Sequence, residues 1–216
     1  MEEYVNKVIC GDCLEFMKKL PDKCVDLVLT DPPYGIEYEG GFPNSDVFGA
    51  IKNDKVGDID FELLFSEIRR VSKLSVIWGA NNFYKSIPHK GSWLCWDKRC
   101  NEEADKLFGS KFELAWVDLE NSGSGGIRIY RIQHAGAKNA DGEGQKRFHP
   151  TQKPVELFRR VISEFCPEGG VVMDCFLGSG TTAVACKQLH RNFIGVEISE
   201  KYCEIARNRL SQDLLF

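Results

Sequence analysis

No apolar run in this 216-residue sequence approaches the length of a bilayer span, and the opening Met1-Glu-Glu-Tyr-Val-Asn-Lys has no apolar core of the kind a signal peptide needs. The expected location is the cytoplasm, without a membrane partner. Internal repeats and low-complexity tracts are also missing. The nine cysteines are an odd number, and Cys10, Cys95 and Cys175 fall in or beside predicted strands. That suits small buried hydrophobes in a reducing compartment, not disulfides. Cys10-Gly11-Asp12-Cys13 has the spacing of half a zinc knuckle, but no second pair follows at matching spacing. No metal is expected, and Cys10 is assigned to the core. A positive charge balance is lacking too: the net charge of -4 argues against a protein that coats nucleic acid indiscriminately.

What is present suffices for one substantial core, since 43% of the residues are hydrophobic and the chain is too short for two ordinary domains. Apolar periodicity predicts strands over residues 5–9, 25–30, 75–78, 93–96, 112–116, 127–132, 171–176 and 193–196. Helices are predicted over 13–20, 61–71, 82–87, 154–165, 183–189 and 199–210, with Pro154 in a first turn and Ser199 as an N-cap. Alternating strands and helices imply an α/β fold, a mostly parallel sheet covered on both faces. Residues 35–58, rich in Gly, Asn and Asp and without periodicity, form an irregular stretch of the length that usually marks a lid or disorder.

Asp31-Pro32-Pro33-Tyr34 follows the apolar run 25–30. Two prolines end a strand and hold its backbone open, because neither can donate a ladder hydrogen bond. Asp31 and the Pro32 carbonyl can then accept both protons of one exocyclic NH2, while Tyr34 offers a face for stacking. The plainer assignment, a strand-ending turn with a solvated Asp and a surface Tyr, loses ground to the far end of the chain. There the apolar run Val171 to Phe176, which includes Asp174, leads into Leu177-Gly178-Ser179-Gly180-Thr181-Thr182 and a helix. The next strand finishes at Glu197-Ile198, placing an acid where it can take both hydroxyls of a ribose. Together these features describe a nucleoside cofactor site.

With these motifs, and with His149-Pro150-Thr151-Gln152-Lys153-Pro154 before the cofactor half, nearly the whole chain resembles the DNA amino-methyltransferases that use S-adenosylmethionine. The order matches the permuted, beta class, in which the catalytic motif precedes the cofactor motif. The resemblance implies a Rossmann-like methyltransferase sheet of seven strands, one antiparallel, in a single domain. Its catalytic half would span 1–97, its target-recognition region 98–147 and its cofactor half 148–216. It further implies a bacterial or phage-encoded enzyme acting on double-stranded DNA. Gly178 and Gly180 would admit the methionine portion of the cofactor, Glu197 its ribose and Asp12 its adenine. Thr151 and Lys153 would hold its carboxylate, and Cys13, Asp31, Asp174, Phe176, Ser179, Thr181, Thr182 and Ile198 would complete the pocket.

The family tends to use Asp before Pro-Pro-Tyr for adenine N6 and Ser for cytosine N4, so Asp31 favours adenine while cytosine N4 stays open. Attack on cytosine C5 would need a nucleophilic Pro-Cys dipeptide, which this sequence lacks. A dinucleotide-dependent oxidoreductase would account for Gly178-Ser179-Gly180-Thr181-Thr182-Ala183. However, only 36 residues follow Gly180, too few for a second nucleotide-binding half. From Arg128 to Arg160, eight basic side chains stand against three acidic ones. Arg128, Arg131 and Arg147 are the candidates for DNA contact, with Tyr34 under a flipped base. A recognition region of about fifty residues is small enough to need a homodimer or another partner.

Overall fold

The computed structural model describes residues 1–34, 59–88, 90–99, 110–119, 127–132 and 152–212. Its strands are Lys7–Cys10 (β1), Val25–Thr30 (β2), Ser72–Trp78 (β3), Ser92–Asp97 (β4), Phe112–Val117 (β5), Arg128–Arg131 (β6), Val171–Asp174 (β7) and Asn192–Glu197 (β8). They make one sheet in the order β1-β8-β7-β2-β3-β5-β4-β6. Eight strands, the number apolar periodicity predicts, stand among the described residues, against the seven that the family resemblance implies. The single antiparallel member is β5, which runs against both β3 and β4, while every other pairing is parallel.

The helices are Cys13–Met17 (α1), Phe61–Val71 (α2), Val155–Phe165 (α3), Thr181–Gln188 (α4) and Glu200–Ser211 (α5). Alternation along the central strands divides the core between them. Leu27, Leu29, Val76 and Trp78 face a layer containing α3 and α4, whereas Val28 and Ile77 face a layer containing α1 and α2. A strand buried on both faces reads as a continuous apolar run, which is why residues 25–30 were legible. Asp60 caps α2 by accepting from the Leu63 amide at 3.0 Å, and Leu64, Phe65, Ile68 and Val71 form its buried stripe.

Several local expectations are corrected. Helix α1 stops at Met17, not Leu20, because the Leu20 amide turns back to the Met17 carbonyl at 2.9 Å. Only the short 3-10 turn Ala80–Phe83 stands where a helix over 82–87 was expected. Pro154 is the extended N-cap of α3, not part of its first turn, and Ser199 caps α5 without a side-chain hydrogen bond. Cys10 is exposed, since it ends the edge strand β1. The eight described cysteines are free thiols. No helix among the described residues is long and apolar enough to cross a membrane.

Candidate active site

Because β1, β8, β7, β2 and β3 are parallel, their C-terminal ends emerge along one edge of the sheet. That edge is where open α/β sheets bind ligands. In spatial order it carries Gly11-Asp12, Glu197-Ile198, Asp174 with the glycine turn, Asp31-Pro32-Pro33-Tyr34, and Gly79. The two motifs separated by about 140 residues of chain are thus neighbours, since β2 pairs directly with β7.

Asp174 ties the two turns together. Its Oδ1 accepts from the Thr30 hydroxyl at 2.8 Å and from the Phe176 amide at 3.0 Å, and its Oδ2 accepts from Thr182. Burial pushes the carboxyl up to about 6, against those hydrogen bonds. Both oxygens are therefore occupied inside the protein, and Asp174 and Thr182 act as braces for the turn. Within the turn Gly178 and Gly180 have φ of 53° and 89°, the left-handed region that favours glycine. A Cβ on Gly180 would also lie 2.9 Å from the Ala206 Cβ of α5.

Glu197 receives the Gly178 amide on Oε2 at 2.9 Å and the Ser199 amide on Oε1 at 2.8 Å. A carboxylate is an acceptor with two oxygens, the chemistry that takes a pair of vicinal hydroxyls. Exposed Ile198 follows it as an apolar shelf. The Gly11 amide donates to the Glu197 carbonyl at 3.0 Å, which sets Asp12 beside the same strand tip. There Asp12 caps α1 through the Glu15 amide at 3.0 Å. Cys13 is buried, and burial pushes its thiol up to about 12.

At the Asp31-to-Tyr34 turn Pro32 is buried and Asp31, Pro33 and Tyr34 are half-buried. The Tyr34 hydroxyl donates to Asp31 Oδ1 at 2.6 Å, and Lys153 Nζ donates to Asp31 Oδ2 at 2.5 Å. Lys153, expected on the cofactor carboxylate, is paired here with Asp31. On its other side Glu113 Oε2 lies 3.1 Å away, not aligned for a hydrogen bond. Burial pulls the Lys153 ammonium down, but Asp31, Tyr34 and Glu113 outweigh it and hold it well above the usual lysine range. Burial pushes Tyr34 well up, and Asp31 adds to the effect.

Sequence patterns missed several supports. Gly79 has φ of 66°, and a Cβ there would lie 2.0 Å from Tyr34 Cε1, so the tyrosine ring occupies the space a side chain would need. Phe83 sits 6.0 Å from the Tyr34 ring and stacks on Phe61 at 4.0 Å. Buried Gln152 accepts from the Ser179 hydroxyl at 3.3 Å, and buried Arg209 donates to the Ser179 carbonyl at 2.7 Å. Adjacent residues 152 and 153 therefore grip the glycine turn and the Asp31 turn respectively. Thr181 is buried and Phe176 half-buried beside them.

The basic candidates are not equivalent. Arg128 is paired with Glu164 and stacked over the Phe165 ring at 5.2 Å, so α3 already engages it. Arg131 is largely exposed, 3.8 Å from Asp97. Arg147, Thr151 and the stretch 35–58 lie outside the described residues. Cys10 is exposed whereas Cys13 is buried. Cys10 meets Glu200 and Cys203, with ligand atoms within 4.8 Å of one another, while Glu200 pairs with Arg207 at 2.6 Å.

The profile of the N6/N4 DNA methylase family matches residues 81–208. The chain belongs to this family. As an N6/N4 DNA methylase it is an S-adenosylmethionine-dependent DNA methyltransferase. Its similarity to type II restriction-modification methyltransferases extends over nearly its full length. It is 29% identical to M.HinfI of Haemophilus influenzae, over 98% of this chain and 70% of the relative. It is 25% identical to M.HpaI of Haemophilus parainfluenzae, over 96% and 74% respectively. Among solved structures, the PvuII cytosine-N4-specific DNA methyltransferase superposes with a TM-score of 0.66 at 16% identity, covering 97% of this chain and 87% of that one. The complex of M1.HpyAVI with S-adenosylmethionine gives 0.56 at 21%, covering 95% and 99%. At these identities the solved structures speak to the shared fold.

Proposed function

We propose that this N6/N4 DNA methylase transfers a methyl group from S-adenosylmethionine to the exocyclic N6 of adenine at specific sites in double-stranded DNA, as a permuted, beta-class enzyme. The observation that carries the proposal is the juxtaposition of Asp31-Pro32-Pro33-Tyr34 with the glycine turn on adjacent strands β2 and β7, with Asp and not Ser as the acidic position. When bound, S-adenosylmethionine supplies an electrophilic methyl on sulfonium. The residues present fit it. Glu197 sets a carboxylate at the tip of β8, held by the Gly178 and Ser199 amides, Gly178 and Gly180 keep the turn open, and Asp12 and Ile198 flank the acid. Cys13, Phe176, Ser179 and Thr181 complete the pocket wall in this assignment, and Thr151 is assigned to the cofactor carboxylate.

An exocyclic base amine is a poor nucleophile because its lone pair is delocalised into the ring. The Asp31 carboxylate and the Pro32 carbonyl accept its two N–H bonds, which localises the lone pair and directs it at the methyl. The base must leave the duplex at a cost of a few kcal/mol, partly offset by stacking on Tyr34. For the amine to reach Asp31 Oδ1, the Tyr34 hydroxyl must yield or share that oxygen, since it holds it at 2.6 Å. Arg131 and Arg147 are assigned to DNA, on phosphate or a base edge, whereas Arg128 must first release Glu164. Target recognition is assigned to 98–147, between a catalytic half, 1–97, and a cofactor half, 148–216.

The test is transfer of labelled methyl to DNA from a methylation-deficient host, followed by nucleoside analysis. N6-methyladenine is the expected product, and N4-methylcytosine would overturn the base assignment. Asp31→Ala should abolish transfer while calorimetry shows cofactor affinity nearly unchanged.

A further inference from the structure

Asp31 has two oxygens and two donors already on them: the Tyr34 hydroxyl on Oδ1 and Lys153 Nζ on Oδ2. An acceptor for a target amine must be held in one orientation, yet the group holding it is a lysine, a point charge on a flexible stem. Left with Asp31 as its one acid, that ammonium would settle between both carboxylate oxygens and compete with the amine. Glu113 stands on the opposite side of the same Nζ, 3.1 Å away. Because it is not aligned for a hydrogen bond, it acts on Lys153 by charge. Its other oxygen, Oε1, is taken by Lys98, whose Nζ lies 4.9 Å over the Trp96 ring.

Glu113 itself is carried by β5, fixed between β3 and β4, and the base of the Lys153 stem is fixed through Gln152 on Ser179. The result is a line of alternating charge, Asp31, Lys153, Glu113, Lys98, with Lys153 only 7% exposed. In such a setting charges are weakly screened and small displacements matter.

We infer that Glu113 is a positioning residue for methyl transfer: anchored by Lys98, it fixes the lysine ammonium that orients the Asp31 carboxylate toward the target amine. The inference rests on the proposed role of Asp31 as acceptor for that amine. Neither Glu113 nor Lys98 lies in a catalytic or cofactor sequence motif. The antiparallel strand β5 brings Glu113 to the site, and Lys98 follows from the end of β4.

Initial rates of labelled-methyl transfer to DNA from a methylation-deficient host, measured across pH, test this. Glu113→Gln should lower kcat by about 10- to 100-fold, the scale of a misoriented reacting group, and leave the KM for S-adenosylmethionine unchanged. The groups facing Lys153 are Asp31, Tyr34 and Glu113, with Lys98 behind. Loss of one anion should therefore move the alkaline limb of kcat to lower pH. In a Lys153→Met background Glu113→Gln should add no further loss. Wild-type kcat with an unmoved limb in Glu113→Gln would overturn the inference, as would an equal loss in both backgrounds. Should Glu113→Gln fail to fold, Lys98→Met takes its place. It should lower kcat and, by removing a cation, move the limb to higher pH, and an unchanged profile would overturn the inference. Absence of any methyl transfer by the wild type would remove the role of Asp31, and the inference with it. Transfer by the wild type with no response in these variants removes the inference alone.

Discussion

Gly79 shows how closely one residue can be bound to the chemistry. Its φ of 66° already disfavours a side chain, and the Tyr34 ring fills the place a Cβ would take. Gly79→Ala should therefore displace Tyr34, cost on the order of 1 kcal/mol or more of stability and reduce methyl transfer sharply. S-adenosylmethionine affinity, read by calorimetry, should persist. Glu197 behaves in the opposite way. Glu197→Ala removes the proposed ribose contacts and also strips the Gly178 and Ser199 amides of their acceptor. Cofactor affinity should fall by about 1 to 3 kcal/mol, and equal binding by wild type and variant would refute the assignment.

Among the elements, α5 does more than cover the sheet. It places Ala206 against Gly180, and Arg209 reaches across to the Ser179 carbonyl at 2.7 Å and hydroxyl at 3.2 Å. The glycine turn is thus clamped from outside by α5 and from within by Asp174. Arg209→Ala leaves the Ser179 carbonyl without this buried donor, so thermal unfolding should show a loss of about 1 to 3 kcal/mol. Weaker cofactor binding should accompany it as the turn loosens. A stability loss with unchanged cofactor affinity would mean that Asp174 alone is enough to hold the turn.

For the whole molecule, two acids, half-buried Glu113 and buried Asp174, give stability opposite pH slopes. Burial pushes Glu113 up, but Lys153 and Lys98 outweigh it and bring the carboxyl down to about 2 from 4.5. Its contribution is present above pH 4.5 and is lost as pH falls through about 2. Asp174 is raised by burial from 3.8 to about 6, so its contribution is present below pH 3.8 and is lost as pH rises through about 6. Chemical denaturation at a series of pH values should show wild type losing its advantage over Glu113→Gln between pH 4.5 and about 2. Relative to Asp174→Asn, wild type should weaken between pH 3.8 and about 6.

The sequence alone determined the elements whose signal is local. Strands β2 and β7 are continuous apolar runs because both of their faces are buried, and α2 and α3 carry apolar stripes at helical spacing. The glycine turn, Glu197 and Asp31-Pro32-Pro33-Tyr34 were legible because turn chemistry and strand tips leave fixed residue types at fixed offsets. What only the tertiary structure decided are partnerships between distant segments, which leave no periodicity to read. Lys153 lies on Asp31, Arg128 is engaged by Glu164, and Cys10 is exposed because β1 is an edge strand. The region 98–147 also contributes β5 and β6 to the main sheet, so the antiparallel strand places Glu113 next to Lys153. A charge in a sequence states its sign, and only the fold states which opposite charge is near enough, and buried enough, to hold it.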